Sequence, residues 1–525
     1  MPFLAKAFAL DQNNGFTARF LAASLAAESS GDEAMAVARQ AVALNPGDIE
    51  VLSVAASLSI RRGEFEDAAR YLNRALEIKP DAVKPLEQLE SLSIVSTWTR
   101  SLYEASPKVA EARRRVINRL TAAHRKHRLD SEQLTSLLAL LEGGPDTFAN
   151  AAKLAADVAA HAKTQVTSSL ALQLASIFWT QGQGAEMLRY RTIARDLEPA
   201  NQNSALGLSH AQLMQGREFW QDAWRAMTEA LFKLRPDMHP AGTTLWTGQR
   251  LGKEPLLVYQ DQGIGDAIVG LRFLAKLTEK RIPYRLWVLP QLADFAANVP
   301  GGEHLARQDR LPGASEVGST FACPLFGLIP ALGLSLSDAS EAPLFHVPKA
   351  HAPLLRERAQ AGPDRPRVGL MLGGNPMRRD DWLRSLPIEA AAPLARVGGV
   401  SWVNLMIDER TLRTQLLKSL GMADPMPDVK NFFDTAAIVD ELDAVIAVDS
   451  SVAHLGLALG KKVWVLAPSM LDWRWQIGET MSPWWPKATV LRAEGPGRWA
   501  TAVSRLVAEL EAYRDNFATN EIKNA

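Results

Sequence analysis

Val445-Ile446-Ala447-Val448-Asp449-Ser450-Ser451-Val452-Ala453-His454-Leu455-Gly456-Leu457-Ala458-Leu459-Gly460, followed by Lys462-Val463-Trp464-Val465-Leu466-Ala467-Pro468, reads as a buried strand, a polar turn, a short small-residue helix and a second strand. The apolar β-branched run predicts a strand, and Ser450 and Ser451 stand where a helix N-cap belongs. This puts an acid, two hydroxyls and free backbone N–H groups at the carboxyl end of one strand. In open parallel sheets ligands bind there. The helix dipole and its unpaired N–H groups favour an anion, and a diphosphate linking nucleotide to sugar is one natural ligand. His454, one turn in, is expected to face the same crevice. A strand followed by a capped helix is also the ordinary α/β unit, so the rest of the chain must decide.

After Trp246 strand and helix patterns alternate. Strands are predicted at Leu256 to Tyr259, Arg285 to Leu289, Val368 to Leu372, Val400 to Met406, Ala444 to Val448, Lys462 to Leu466 and Thr489 to Arg492. Such alternation implies βαβ units and parallel sheets. The Pro-, Ala- and charge-rich segment near 345–366 is read as the separator of two Rossmann-like halves, 246–350 and 365–515, with a cleft between them.

In the first half, Gln262-Gly263-Ile264-Gly265-Asp266 is read as a tight turn leading into an amphipathic helix, Ala267 to Lys280. Gly263 and Gly265 permit close approach of the backbone to a ligand. Asp266 has two readings: a general base taking a proton from an attacking hydroxyl, or an acid that stabilises a helix N-terminus. The motif lacks the third glycine and downstream acid of a dinucleotide fingerprint. In the second half, Gly373-Gly374-Asn375-Pro376 ends a strand, and Arg378, Arg379, Asp380, Asp381, Arg384 and Ser385 follow. Arginine forks match phosphate oxygens. Asp380 and Asp381 make a thin ligand set for a metal, and pairing with the nearby arginines is the preferred reading. Ten of the fourteen tryptophans lie from 246 onward, in runs such as Asp472-Trp473-Arg474-Trp475 and Ser482-Pro483-Trp484-Trp485-Pro486. They are read mainly as packing residues, although one could stack on a base or sugar.

Upstream, residues 1–240 are alanine- and leucine-rich with helical periodicity. Comparing residues 15–48 with 49–82 shows a 34-residue period in which Ala34 recurs as Ala68, Ala41 as Ala75 and Pro46 as Pro80. A further copy is placed around Ala175, Gly182, Ala194 and Pro199. Small residues let paired helices approach, and proline ends the second helix of each pair, as in tetratricopeptide repeats. Residues 95–165 look helical but off-pattern. Their basic runs, Arg113 to Arg115 and His124 to Arg128, are read as a solvated face rather than a partner site.

At 525 residues the chain is too long for one core. Lys plus Arg and Asp plus Glu both number 58, so no overall field recruits nucleic acid or membrane. The single cysteine, Cys323, excludes an internal disulfide and a cysteine-cluster metal site. No signal peptide or membrane-spanning run is read, and a cytoplasmic location without integral membrane contact is expected.

Taken in order, the repeats, Trp246-x-Gly248, Gln262-Gly-Ile-Gly-Asp266, the run Val368 to Pro376, Arg384-Ser-Leu-Pro387, the run Ala447 to Gly460, Asp472 to Trp475 and Ser482 to Pro486 resemble bacterial tetratricopeptide-repeat glycosyltransferases with a GT-B fold. The catalytic half is more distantly similar to lipopolysaccharide heptosyltransferases and to O-linked N-acetylglucosamine transferase. The resemblance implies a helical repeat domain followed by two Rossmann-like halves, no metal or other cofactor, and transfer of a sugar from a nucleotide-sugar to Ser or Thr of a protein selected by the repeats. Flagellin, with a nonulosonic acid donor such as CMP-pseudaminic acid, is the particular case it suggests. By position it assigns Asp266 as the base and Gly263, Gly265, Gly374, Asn375, Arg384, Ser385, Asp449, Ser450, Ser451 and His454 as donor-side residues. The chain departs from relatives at Asp380-Asp381-Trp382-Leu383, where they tend to carry smaller polar groups. A lipid or polysaccharide glycosyltransferase, or a repeat scaffold whose transferase half has decayed, are the alternatives.

Overall fold

The computed structural model describes the chain apart from residues 1, 29–31, 62–63, 80–81, 86–87, 89–113, 115–116, 119, 126–128, 143–144, 161–164, 216–219, 360–364, 375–380, 408–417, 471, 476–480 and 525. The chain forms two compact units, one of residues Met1–Gln173 and one made of Leu174–Gly374 with Trp382–Ala525.

The first unit is helical. Its helices include α1 (Pro2–Leu10), α2 (Gly15–Glu28), α3 (Asp32–Leu44), α4 (Ile49–Arg61), α5 (Phe65–Ile78), α6 (Ser131–Glu142) and α7 (Pro145–Ala160). The 34-residue period has a packing origin: Ala34 and Ala41 on α3, and Ala68 and Ala75 on α5, are all buried. A methyl at each position lets one helix lie close against the next, and a larger side chain would push the pair apart. Pro80 and part of the off-pattern segment, including Arg113, Arg115 and residues 126–128, lie outside the described residues.

The second unit opens with helices of the same kind, α8 (Ser168–Thr180, which crosses the division), α9 (Gly184–Leu197), α10 (Gln202–Gln215) and α11 (Trp220–Leu234). Ala175 and Ala194 are buried here too, and Gly182 turns the chain between α8 and α9 at φ +77°. Two parallel sheets follow. The first contains β1 (Thr244–Leu245), β2 (Leu256–Tyr259), β3 (Tyr284–Trp287) and β4 (Phe321–Pro324), in the order β1-β4-β2-β3. The second contains β5 (Arg367–Met371), β6 (Ser401–Asn404), β7 (Ala444–Val448), β8 (Lys462–Ala467) and β9 (Ala488–Arg492), in the order β6-β5-β7-β8-β9. All pairings within the two sheets are parallel. The central strand β7 is buried along its whole length, which its unbroken apolar run demands. The core of the second sheet joins Ile446, Val448, Trp464 and Leu466 to Val503, Leu506 and Leu510 of the helix Ala500–Asn524.

The chain between the sheets carries the helix Pro353–Ala359. Its buried Arg356 is fixed by Asp440 at 3.2 Å and by Glu441. The helix expected over 267–280 divides instead into α12 (Ile264–Leu271) and a short turn of helix, Ala275–Glu279. Tertiary contacts account for the break. Arg272 turns inward, donating to Ser340 O at 2.8 Å and to Trp484 O, with its guanidinium 4.1 Å from the Trp485 ring centre. The helix also begins earlier than expected, so Gly265 and Asp266 sit in its first turn.

An aromatic cluster ties α11 to both sheets. Trp224 is fully buried, with ring centres 4.8 Å from Phe326, 5.1 Å from Trp473, 5.8 Å from Trp220 and 6.1 Å from Trp484. The Trp224→Ala change removes the centre of this cluster and is expected to cost about 3–5 kcal/mol, the usual range for a large aromatic deleted from a core. A urea unfolding midpoint little changed from that of the parent would contradict the packing described.

Candidate functional site

Both sheets reverse direction beside one strand. In the first, β3 and β4 lie on opposite sides of β2; in the second, β6 and β7 lie on opposite sides of β5. Crevices outside the carboxyl ends of strands form at such reversals. The loops leaving β2, β5 and β7 carry the residues singled out in the sequence.

Beyond β7, Ser450 takes an extended conformation (φ −152°, ψ 167°) and starts α13 (Ser451–Ala458). Its side chain does not cap the helix, and among the described residues its buried Oγ has no hydrogen-bond partner. Arg384 reaches Asp449, donating from Nη2 to the backbone O at 2.7 Å and to Oδ2 at 2.9 Å. Its buried Nε, in contrast, has no hydrogen-bond partner among the described residues. Buried polar groups are nearly always paired, so these two atoms beside a helix start have room for a further partner. Ser385 Oγ accepts the Gly374 N–H at 2.8 Å and holds the loop that leaves β5. Asn375, with Arg378, Arg379 and Asp380, lies outside the described residues.

His454 is buried within this crevice. Its ring stacks on Trp475 at 5.0 Å and 13°, and its Nδ1 accepts the indole N–H of Trp485 at 3.1 Å. That bond leaves the proton of the neutral imidazole on Nε2. Burial, opposed in part by Asp449, pushes the His454 pKa down to about 4. The sign of the consequence is fixed. Above about pH 6.5 neither state is protonated, but below it the unfolded chain binds a proton that the folded ring refuses down to about pH 4. Stability is therefore lost as pH falls through that window, by on the order of 3 kcal/mol from this group. His454→Gln is expected to flatten the acid limb of a melting-temperature profile between pH 7 and 4.5, and an unchanged limb would show that the ring is not held neutral by burial.

The first sheet meets this crevice through α12. A Cβ at Gly265 would lie 3.0 Å from His454 Cδ2 and 3.4 Å from Ser451 Cα, tighter than ordinary contact, so glycine lets α12 lie close against α13. Gly263 precedes α12 in an extended conformation. Asp266 pairs with Arg474, a residue of the loop that follows β8. Arg474 also donates from Nη1 to Asp472 Oδ1 at 2.8 Å and Oδ2 at 2.7 Å, and its guanidinium lies 4.0 Å from the Trp473 ring centre. Burial brings Arg474 down to about 9, so it remains a cation at neutral pH. Burial, and then the Asp449 carboxylate, raise Asp472. Arg492 stays nearby, donating to Pro468 O and Trp475 O, each at 3.2 Å.

The structure thus brings Asp266, Gly265, Ser451 and His454 together, with Arg384, Asp449 and Ser450 at the same reversal of the second sheet. Sequence reasoning read the tryptophans of Asp472-Trp473-Arg474-Trp475 and of Trp484-Trp485 chiefly as packing residues and assigned nothing to Asp472 or Arg474. Trp473 and Trp484 do pack with Trp224, whereas Arg474, Trp475 and Trp485 contact the site. The alternation of charge with aromatics in Asp472-Trp473-Arg474-Trp475 was the available signal. Asp261, buried beyond β2 and raised by burial to about 7, was missed altogether. A concavity of about 310 Å³ lined by Lys253, Glu254 and Thr320 opens at the amino ends of β2 and β4, away from these residues. Among the described residues no group of three or more His, Cys, Asp or Glu side chains converges on one point, and no helix is long and apolar enough to cross a membrane.

The tetratricopeptide-repeat family model matches residues 25–89. No curated protein matches the chain significantly. Solved structures with partial likeness include E. coli ADP-heptose lipopolysaccharide heptosyltransferase II, at 14% identity and a TM-score of 0.35 over 49% of this chain and 99% of that one. A glycosyl transferase of family 9 from Veillonella parvula gives 12% and 0.38 over 52% and 99%. An O-GlcNAc transferase variant from Thermobaculum terrenum gives 13% and 0.29 over 90% and 93%. At these scores the likenesses carry no argument about function.

Proposed function

We propose that the protein is a glycosyltransferase that moves a sugar from a nucleotide-sugar to a hydroxyl. The observation that carries this reading is the meeting of two unlike sites. One is a helix start with unpaired Ser450 Oγ and Arg384 Nε, suited to a phosphate; the other is a carboxylate, Asp266, presented by the opposite sheet. In this reading Arg384, Ser385, Gly374, Asn375, Asp449, Ser450, Ser451 and His454 hold the donor, with Gly263 and Gly265 shaping the approach of α12. The Nε2–H of His454 donates to the donor without adding charge. Asp266 takes the proton of the acceptor hydroxyl as oxygen attacks the anomeric carbon, and the nucleotide leaves with the electrons of the broken bond. No metal or other cofactor is assigned a step.

The helical repeats are proposed to select a protein acceptor. The turn between α8 and α9 sits on the loop after β8, where Ser469 Oγ donates to Thr180 O at 3.1 Å, so repeat-like helices reach the carboxyl edge of the second sheet. The resemblance to tetratricopeptide-repeat glycosyltransferases implies the finer form, transfer of a nonulosonic acid to Ser or Thr of flagellin, in the cytoplasm. The test is the fate of a labelled sugar in an extract of the source cells: label in the protein fraction supports a protein acceptor, and label confined to extracted glycolipid would reassign it to a lipid.

A further inference from the structure

The charges where the sheets meet are already spoken for. Arg474 bridges two carboxylates carried by different sheets, Asp266 at the start of α12 and Asp472 beyond β8. Its side chain is only 13% exposed, and Trp473 covers one face of the guanidinium. Arg384 is likewise engaged by Asp449. This arrangement conflicts with the proposed chemistry in two ways. A carboxylate held through one oxygen by a guanidinium is a weaker proton acceptor than a free one, because the cation stabilises its charged form. A phosphate entering beside Asp449 and Asp472 needs a guanidinium nitrogen that is not already given to a carboxylate.

One exchange resolves both conflicts. We propose that Arg474 is a donor-binding residue for which Asp266 and the anionic phosphate of the nucleotide compete, so that donor binding takes the guanidinium and frees the carboxylate. Asp472 stays attached and acts as the pivot, since its two bonds to Nη1 do not use the nitrogen that contacts Asp266. No covalent bond changes in the exchange: the guanidinium keeps its protons, and Asp266 emerges charged and open to the acceptor. The donor must then bind before the acceptor can be activated. This inference rests on the nucleotide-sugar reading above.

The two can be separated by calorimetric titration of CMP, UDP, GDP and ADP into the full-length protein, Asp266→Asn, Arg474→Gln and the double variant. Asp266→Asn keeps the shape but removes the competitor, so the nucleotide that binds is expected to bind about tenfold tighter, within the usual span of coupling between sites. Arg474→Gln is expected to weaken it about tenfold, and in that background Asp266→Asn is expected to change affinity less than about twofold. Arg474→Lys, which keeps the charge but not the fork, serves as a second variant should the glutamine form fail to fold, and is expected to weaken both the pairing and nucleotide binding. Equal tightening by Asp266→Asn with and without Arg474 would mean simple charge repulsion and overturn the exchange. Unchanged affinity in Asp266→Asn would overturn it as well, while the donor reading survived. Absence of binding in every protein tested would remove the donor reading and the exchange together.

Discussion

Asp266→Asn is expected to reduce sugar transfer by roughly 10²–10⁴-fold, the usual contribution of a positioned proton acceptor, while nucleotide binding persists. The expectation follows from placement. Asp266 lies in the first turn of α12, and Gly265 beside it brings that turn against α13. An amide retains the volume and the backbone geometry there but cannot take a proton. The change does remove the partner of Arg474, so the melting temperature must be followed alongside the rate. A variant that folds, binds nucleotide and transfers at the parent rate would remove Asp266 from the chemistry and leave it as an ion-pair partner across the cleft.

The second large effect concerns the helices. A protein comprising residues 168–525 keeps α8 whole and retains the compact unit that contains both sheets, including Trp224 and its aromatic neighbours. It is expected to bind nucleotide as the full chain does, yet to modify the protein acceptor roughly a hundredfold less, the scale of advantage a second binding module supplies. Cutting nearer the first sheet, at residue 246, would instead strip α11 from Trp473, Trp484 and Phe326 and confound recruitment with folding. Equal modification by the shortened and full proteins would deny the first unit any role in choosing the acceptor.

Much of this architecture is legible in the residues, for physical reasons that differ from element to element. Strands β2 and β7 coincide with their predicted bounds because each is an apolar run buried on both faces. The alanine period survives because a buried small residue is the contact itself. Strand β4, Phe321–Pro324, escapes notice because a small residue, a thiol and a proline carry no strand signal; its pairing with β2 makes it a strand. The break after Leu271 escapes for a related reason, since Arg272 leaves the helical path to reach Ser340 and Trp484. At the site, Asp449, Ser450 and His454 are readable from one stretch of chain. The Asp266 pairing with Arg474, and the Trp485 bond that sets the His454 tautomer, join distant segments and have no local pattern.

The central claim is that a nucleotide occupies the reversal of the second sheet between β5 and β7. Its most direct test is thermal stabilisation of the full-length protein by CMP, UDP, GDP and ADP, beside an Arg384→Ala, Asp449→Ala variant that removes both members of the ion pair. A ligand present at about a hundred times its dissociation constant adds roughly 2.7 kcal/mol of stability, a readily measured shift. Stabilisation by one nucleotide, lost in the variant, is the expected result, with CMP favouring a nonulosonic acid donor. Stabilisation by none of the four, or an equal shift in the variant, would contradict that claim.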